Sequence, residues 1–125
     1  MVKIPNAARY LEFVSTPMFE RTRKGVLSDD DVRGLENELL KNPEAGDVVS
    51  GTGGVRKTRA ANEGHGKRGS VRVAYLYVQK WETIFFLFPF PKNVQGNLTA
   101  DQKRAIRAEI RRITAESWPR KKPKK

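Results

Sequence analysis

The chain has 125 residues, a formal net charge of +11 and no cysteine. A chain of this length builds one domain around one core. Without cysteine there is no disulfide framework, thiolate nucleophile or thiolate metal ligand, and the one histidine, His65, cannot make a zinc site alone. The start Met1–Asn6 lacks an apolar signal-peptide core, and the most apolar run, Ile84–Phe90, is too short to span a bilayer. The expectation is a cytoplasmic protein that does not engage membrane.

Tyr10–Ser15 alternates as a first strand should. Thr16-Pro17 then reads as an N-cap with proline at the first helical position, opening a short helix to about Val26. Ser28 caps a second helix, and Asp29, Asp30 and Asp31 suit its positive end. Val32, Leu35 and Leu39 share one face of that helix, and Asn42-Pro43 stops it. The two helices are expected to form a hairpin packed on a sheet. Gly46–Gly54 is turn-rich around Asp47-Val48-Val49.

Val55–Ala60 reads as a strand carrying three cations, and Ala61–Gly69 as a glycine-rich loop. Val71–Val78 and Thr83–Phe90 are rich in β-branched and aromatic residues, as strands are. The joint Lys80-Trp81-Glu82 makes them a hairpin. Thr99 and Gln102 form a capping box for the last helix, in which Ile106, Ile110 and Ile113 share a face. The tail Pro119–Lys125 is too polar and proline-broken to fold alone. The predicted order is β-α-α-β-β-β-β-α. It is an α+β fold with a mostly antiparallel sheet of about four to five strands, an N-terminal helical hairpin and a C-terminal helix.

The positive charge lies in two blocks. Residues 1–53 hold 7 basic and 9 acidic side chains, whereas residues 54–72 hold 6 basic and 1 acidic. Residues 73–102 are balanced, and residues 103–125 hold 10 basic and 2 acidic. Such blocks are the electrostatic footprint of a polyanion binder. Nucleic acid is favoured over anionic lipid, which calls for aromatics beside the basic face.

Strand alternation puts Val55, Lys57 and Arg59 on one face, with Arg56 and Thr58 on the other. In the next strand Arg72, Ala74 and Leu76 share a face, opposite Val71, Val73, Tyr75 and Tyr77. The aromatic face should pack on helices and leave the Arg72 face open. If these strands are partners, Lys57, Arg59 and Arg72 converge. Like charges side by side destabilise a sheet unless an anion bridges them, which points to phosphate. The simpler alternative is a solvated strand face with no ligand.

The loop Gly64–Gly69 adds Lys67 and Arg68 near that hairpin, and its glycines let backbone N–H groups approach an anion. It is not a P-loop, because Lys67 is followed by Arg68 rather than Ser or Thr. His65 is a possible acid or base, but a lone histidine in a glycine loop is more often an ordinary polar residue. No acidic cluster supports a two-metal nuclease, since Asp29–Asp31 are explained as helix capping. Cleavage of nucleic acid would then be metal-independent. RNA supplies its own nucleophile, the 2′-OH, and the protein need only remove a proton and stabilise charge on phosphorus. A lysine among arginines is a candidate proton acceptor, because neighbouring positive charge favours the neutral amine.

The sequence GTGGVRKTRA, followed by GKRGSVRVAYLYV, FFLFPFPKN and LTADQK after a strand and helical hairpin, resembles the RelE/HigB branch of the RelE–ParE toxin superfamily. The resemblance runs from about Phe13 to Ile113, and NPEAGDVVSGTGGVRKTR with the KN…LT ending is its most specific part. It implies a type II toxin, a ribosome-dependent mRNA endonuclease that needs no cofactor. Its partners would be mRNA, the ribosome and a cognate antitoxin with a helix-turn-helix DNA-binding domain.

Carried over by motif, the implied catalytic residues are Lys57, Arg59, Arg72 and Lys92. The cations Arg56, Lys67 and Arg68, Arg111 and Arg112 of the last helix, and Lys121 and Lys122 of the tail are expected to bind RNA. The toxin domain is expected over 1–118, with a disordered basic tail over 119–125. Three departures stand out. Asn93–Leu98 holds no match for the family's C-terminal tyrosine, Asn93 stands where an arginine is expected, and Thr58 and Ala60 replace more apolar neighbours. Two other functions fit the same residues: a ParE-like DNA gyrase poison that cleaves nothing, and a non-catalytic RNA-binding protein.

Overall fold

A computed structural model describes residues 10–61, 70–90 and 98–116. In chain order the elements are β1 (Glu12–Ser15), α1 (Pro17–Thr22), α2 (Asp29–Lys41), β2 (Asp47–Val48), β3 (Arg56–Ala61), β4 (Ser70–Val78), a 3-10 turn (Gln79–Trp81), β5 (Thr83–Pro89) and α3 (Ala100–Glu116). The expected element order and α+β class are both present. The five strands form one sheet in the order β1-β5-β4-β3-β2. Every pairing is antiparallel except that of β1 with β5, which is parallel.

The helix ends follow local chemistry. The Thr16 hydroxyl accepts from the Phe19 N–H at 3.1 Å and donates to the Phe86 carbonyl at 2.8 Å, so one side chain caps α1 and ties it to β5. The α1 helix stops at Thr22, earlier than the expected Val26. Gly25 at φ +76° turns the chain there. Arg23 then bridges to the next helix, donating to the Leu27 carbonyl at 2.9 Å and to Asp29 at 2.7 Å. That hydrogen bond to Asp29 is the main reason the Arg23 guanidinium is held above its usual pKa. Ser28 and Asp31 close the capping box of α2, and Thr99 and Gln102 close that of α3.

Two apolar clusters lie on opposite faces of the sheet. On the first face, Phe19, Leu27, Val32, Leu35 and Leu39 from the helical hairpin pack on Val73, Tyr75, Ile84 and Phe86. Phe86 is the hub, stacked on Phe13 at 5.8 Å and tilted on Phe19 at 5.2 Å. On the second face, Ile106 and Ile113 of α3 join Val55, Ala74, Leu76, Phe85 and Leu87. Covered on both sides, β5 reads as an almost unbroken apolar run. A bulge shifts the β4–β5 register between Ala74 and Tyr75, leaving Leu87 as the extra residue of β5.

The second face corrects one expectation. The side of β4 that carries Arg72 is not open along its length. Ala74 is wholly buried and Leu76 is 6% exposed, because α3 lies over that part of the sheet. An amphipathic helix with an isoleucine stripe must bury it, and this is the remaining apolar surface. Among the described residues, no helix is long and apolar enough to cross a membrane.

Candidate functional site

Beyond the reach of α3, the second face changes character. In the β3–β4 pairing, Arg59 stands directly opposite Arg72 and Lys57 opposite Ala74. Across the other side of β3, Asp47 of β2 stands opposite Lys57. Directly paired residues of an antiparallel ladder point to the same face. Asp47, Lys57, Arg59 and Arg72 therefore share one side of the sheet, and together with Ala45 and Thr58 they line a hollow of about 390 Å³. Lys57 and Arg72 are half-buried, while Asp47 and Arg59 are exposed. Two guanidiniums directly across a strand pair are unfavourable alone and become favourable with an anion between them.

The β2 edge of this hollow is held tightly. Gly46 sits so close to β3 that a Cβ placed on it would come within 2.7 Å of the Lys57 carbonyl oxygen. Its N–H donates to the Tyr75 hydroxyl at 3.0 Å, and that hydroxyl donates to the Pro43 carbonyl at 2.8 Å. Burial is the main reason the Tyr75 phenol is pushed above its usual pKa. Arg56 closes the arrangement, donating to the Gly46 carbonyl at 2.6 Å and the Glu44 carbonyl at 3.2 Å. The loop from β2 to β3 is fixed by Thr52, which is buried. Its hydroxyl donates to the Val49 carbonyl at 2.6 Å and accepts from the Val55 N–H at 3.1 Å.

The structure thus brings together three of the four expected catalytic residues, Lys57, Arg59 and Arg72. Lys92 lies outside the described residues, as do Lys67, Arg68, His65, Lys121 and Lys122. Arg56 is on the opposite face of β3 and bonds the turn before β2, so its visible work is structural. Arg111 and Arg112 are exposed on α3, with Arg112 paired to Glu109. Arg107 reaches back to the Gly51 carbonyl at 2.6 Å and pins α3 to the loop before β3. The sequence placed Asp47 only in a turn-rich stretch and not at the site, because a two-residue strand there has no periodicity to read.

A larger hollow of about 520 Å³ lies between α1, the end of β5 and α3. Among the described residues its lining includes Met18, Val26, Phe88, Phe90 and Ala105 and no charged side chain.

Residues 14–118 match the family described as the RelE toxin of the RelE/RelB toxin–antitoxin system. The chain belongs to the RelE toxin family. The match spans both helices of the hairpin, all of the sheet from Val14 onward and α3, so every wall of the cationic hollow falls within the RelE region. Membership of a toxin–antitoxin family implies a cognate antitoxin for this RelE toxin.

Proposed function

We propose that the protein is an mRNA interferase, a toxin that cleaves mRNA on the ribosome by using the RNA 2′-OH as nucleophile and needs no metal. The observation that carries this reading is the grouping of Lys57, Arg59 and Arg72 around one hollow on a RelE toxin scaffold. Attack of the 2′-oxygen on the scissile phosphorus concentrates negative charge on the phosphoryl oxygens. Arg72 and Arg59, on neighbouring strands of a rigid sheet, are placed to receive that charge with little rearrangement. Arg offers paired N–H donors that match phosphate oxygens, and Lys57 adds a point charge beside them. Lys92, which follows β5 in the chain, is assigned to the same site by the family resemblance.

The exposed arginines of α3, including Arg111 and Arg112, supply the second basic surface, suited to ribosomal RNA phosphates. Retained cations on β3 and β4 favour cleavage over a ParE-like gyrase poison. The antitoxin is read as a helix-turn-helix protein whose acidic or apolar side chains cover the hollow or the last helix. The deciding experiment is primer extension on an mRNA translated with and without the purified protein. New stops within codons on ribosomes, absent with Arg72→Ala, are the expected result. An mRNA left intact by the folded wild-type protein would refute the nuclease reading.

A further inference from the structure

Among the described residues, the hollow lined by Lys57, Arg59 and Arg72 has one carboxylate on its wall. Asp47 sits opposite Lys57 in the β2–β3 ladder and lines the same hollow as Lys57, Arg59 and Arg72. An anion at that place weakens the attraction for RNA, so simple phosphate binding gives no reason for it. Its position is also not loose. The residue before it, Gly46, is held by the Tyr75 hydroxyl, the Arg56 guanidinium and the close approach of the Lys57 backbone.

From this geometry we infer that Asp47 is the proton acceptor for the attacking 2′-OH. The inference rests on the nuclease reading above. Ammonium and guanidinium groups have hydrogen-bond donors only, whereas an ionised carboxylate is an acceptor only. Among the described residues of the hollow, the Asp47 carboxylate can accept a proton as it stands, whereas Lys57, the kind of acceptor the sequence suggested, must first lose one. The division of labour follows. The 2′-OH proton passes to an Asp47 oxygen, and the 2′-oxygen electron pair forms the new bond to phosphorus. The bond from phosphorus to the 5′-oxygen breaks with its pair on that oxygen, which takes a proton from water. Asp47 returns its own proton to solvent through the exposed mouth of the hollow. The products are a 2′,3′-cyclic phosphate and a 5′-hydroxyl, with no net proton uptake. Arg59, Arg72 and Lys57 then hold the phosphoryl oxygens throughout.

The test separates binding from chemistry. Ribosome complexes carry an mRNA whose 2′-hydroxyl at the scissile position is either free or methylated. The methylated mRNA reports toxin binding, and the free one reports the cleavage rate at saturating toxin. Asp47→Asn keeps the shape of the side chain and removes its charge. Binding to the methylated complex is expected to stay within about threefold of wild type or to tighten. Cleavage is expected to fall by about 10²–10⁴, the usual contribution of a positioned base. Added formate should restore part of the rate to Asp47→Ala and none to Arg72→Ala. An unchanged thermal transition for Asp47→Asn ties the loss to chemistry.

If Asp47→Asn cleaves at saturation within threefold of an active wild type, or loses binding in step with cleavage, the assignment is overturned while the nuclease reading stands. If the wild type leaves the free mRNA intact, both fall together.

Discussion

Leu76 and Arg72 stand four residues apart on the same face of β4, and they end in opposite surroundings. Leu76 joins Val55, Phe85, Ile106 and Ile113 in an apolar cluster under α3. Arg72 lines a polar hollow with Lys57, Arg59 and Asp47. The neighbouring strand repeats the change, with Val55, just before β3, wholly buried and Arg59 exposed at the surface. One sheet face thus serves as core at one end and carries the cationic hollow, the proposed RNA site, at the other. The boundary is set by how far α3 reaches. Burial of apolar area supplies the rigidity of the covered end, and the strands carry that rigidity to the cations at the uncovered end.

This contrast can be broken at the core end first. Phe85→Ala removes a wholly buried ring and should cost about 3–5 kcal/mol in urea unfolding. So large a loss brings down the hollow as well, so activity and stability should fall together.

At the uncovered end the two should separate. Arg72→Ala is expected to change unfolding free energy by less than about 1 kcal/mol, because it also relieves the facing charge of Arg59. Its cleavage rate should nevertheless drop by about 10²–10³ in a single-turnover assay. A melt shifted as far as that of Phe85→Ala would show that Arg72 belongs to the core.

Tyr75→Phe tests the link between the first-face core and the β2 edge. It leaves the Gly46 N–H and the Pro43 carbonyl without their partner and should cost about 1–3 kcal/mol. The pH dependence has a definite sign. Burial raises the folded-state pKa of the Tyr75 phenol, so the unfolded chain ionises first. Its contribution is fully present below the unfolded value, roughly pH 10 for tyrosine, and is lost as pH rises through the higher folded value. The fall in unfolding free energy above about pH 10 should therefore be shallower in Tyr75→Phe than in wild type.

The smallest effect sharpens the contrast without altering the core. Inorganic phosphate at a concentration equal to its Kd should stabilise the wild type by about 0.4 kcal/mol, following simple mass action. The gain should vanish in Arg72→Ala and persist in a double variant of the tail, Lys121→Ala with Lys122→Ala. Thermal melts in phosphate against a chloride buffer of matched ionic strength check it. Equal stabilisation of all three proteins would place phosphate elsewhere.

Much of this was legible in the chain itself. The Thr16-Pro17 start, the Ser28 and Thr99 capping boxes and the Val32, Leu35, Leu39 stripe are local signals. Each of α1, α2 and α3 begins at the cap that short-range hydrogen bonding requires. Alternation also put Lys57 and Arg59 on one side of β3 and Arg72 and Leu76 on one side of β4, and the two sets were expected to converge if the strands paired, as they do. Three things needed the tertiary structure. The parallel pairing of β1 with β5 joins segments about seventy residues apart, and nothing local encodes it. The cover that α3 places over Leu76 but not Arg72 depends on where a distant isoleucine stripe lands, which is set by packing. Asp47 joined the site only when a two-residue strand paired with β3. Its neighbours in sequence describe a turn, whereas its place beside Lys57 comes from the ladder.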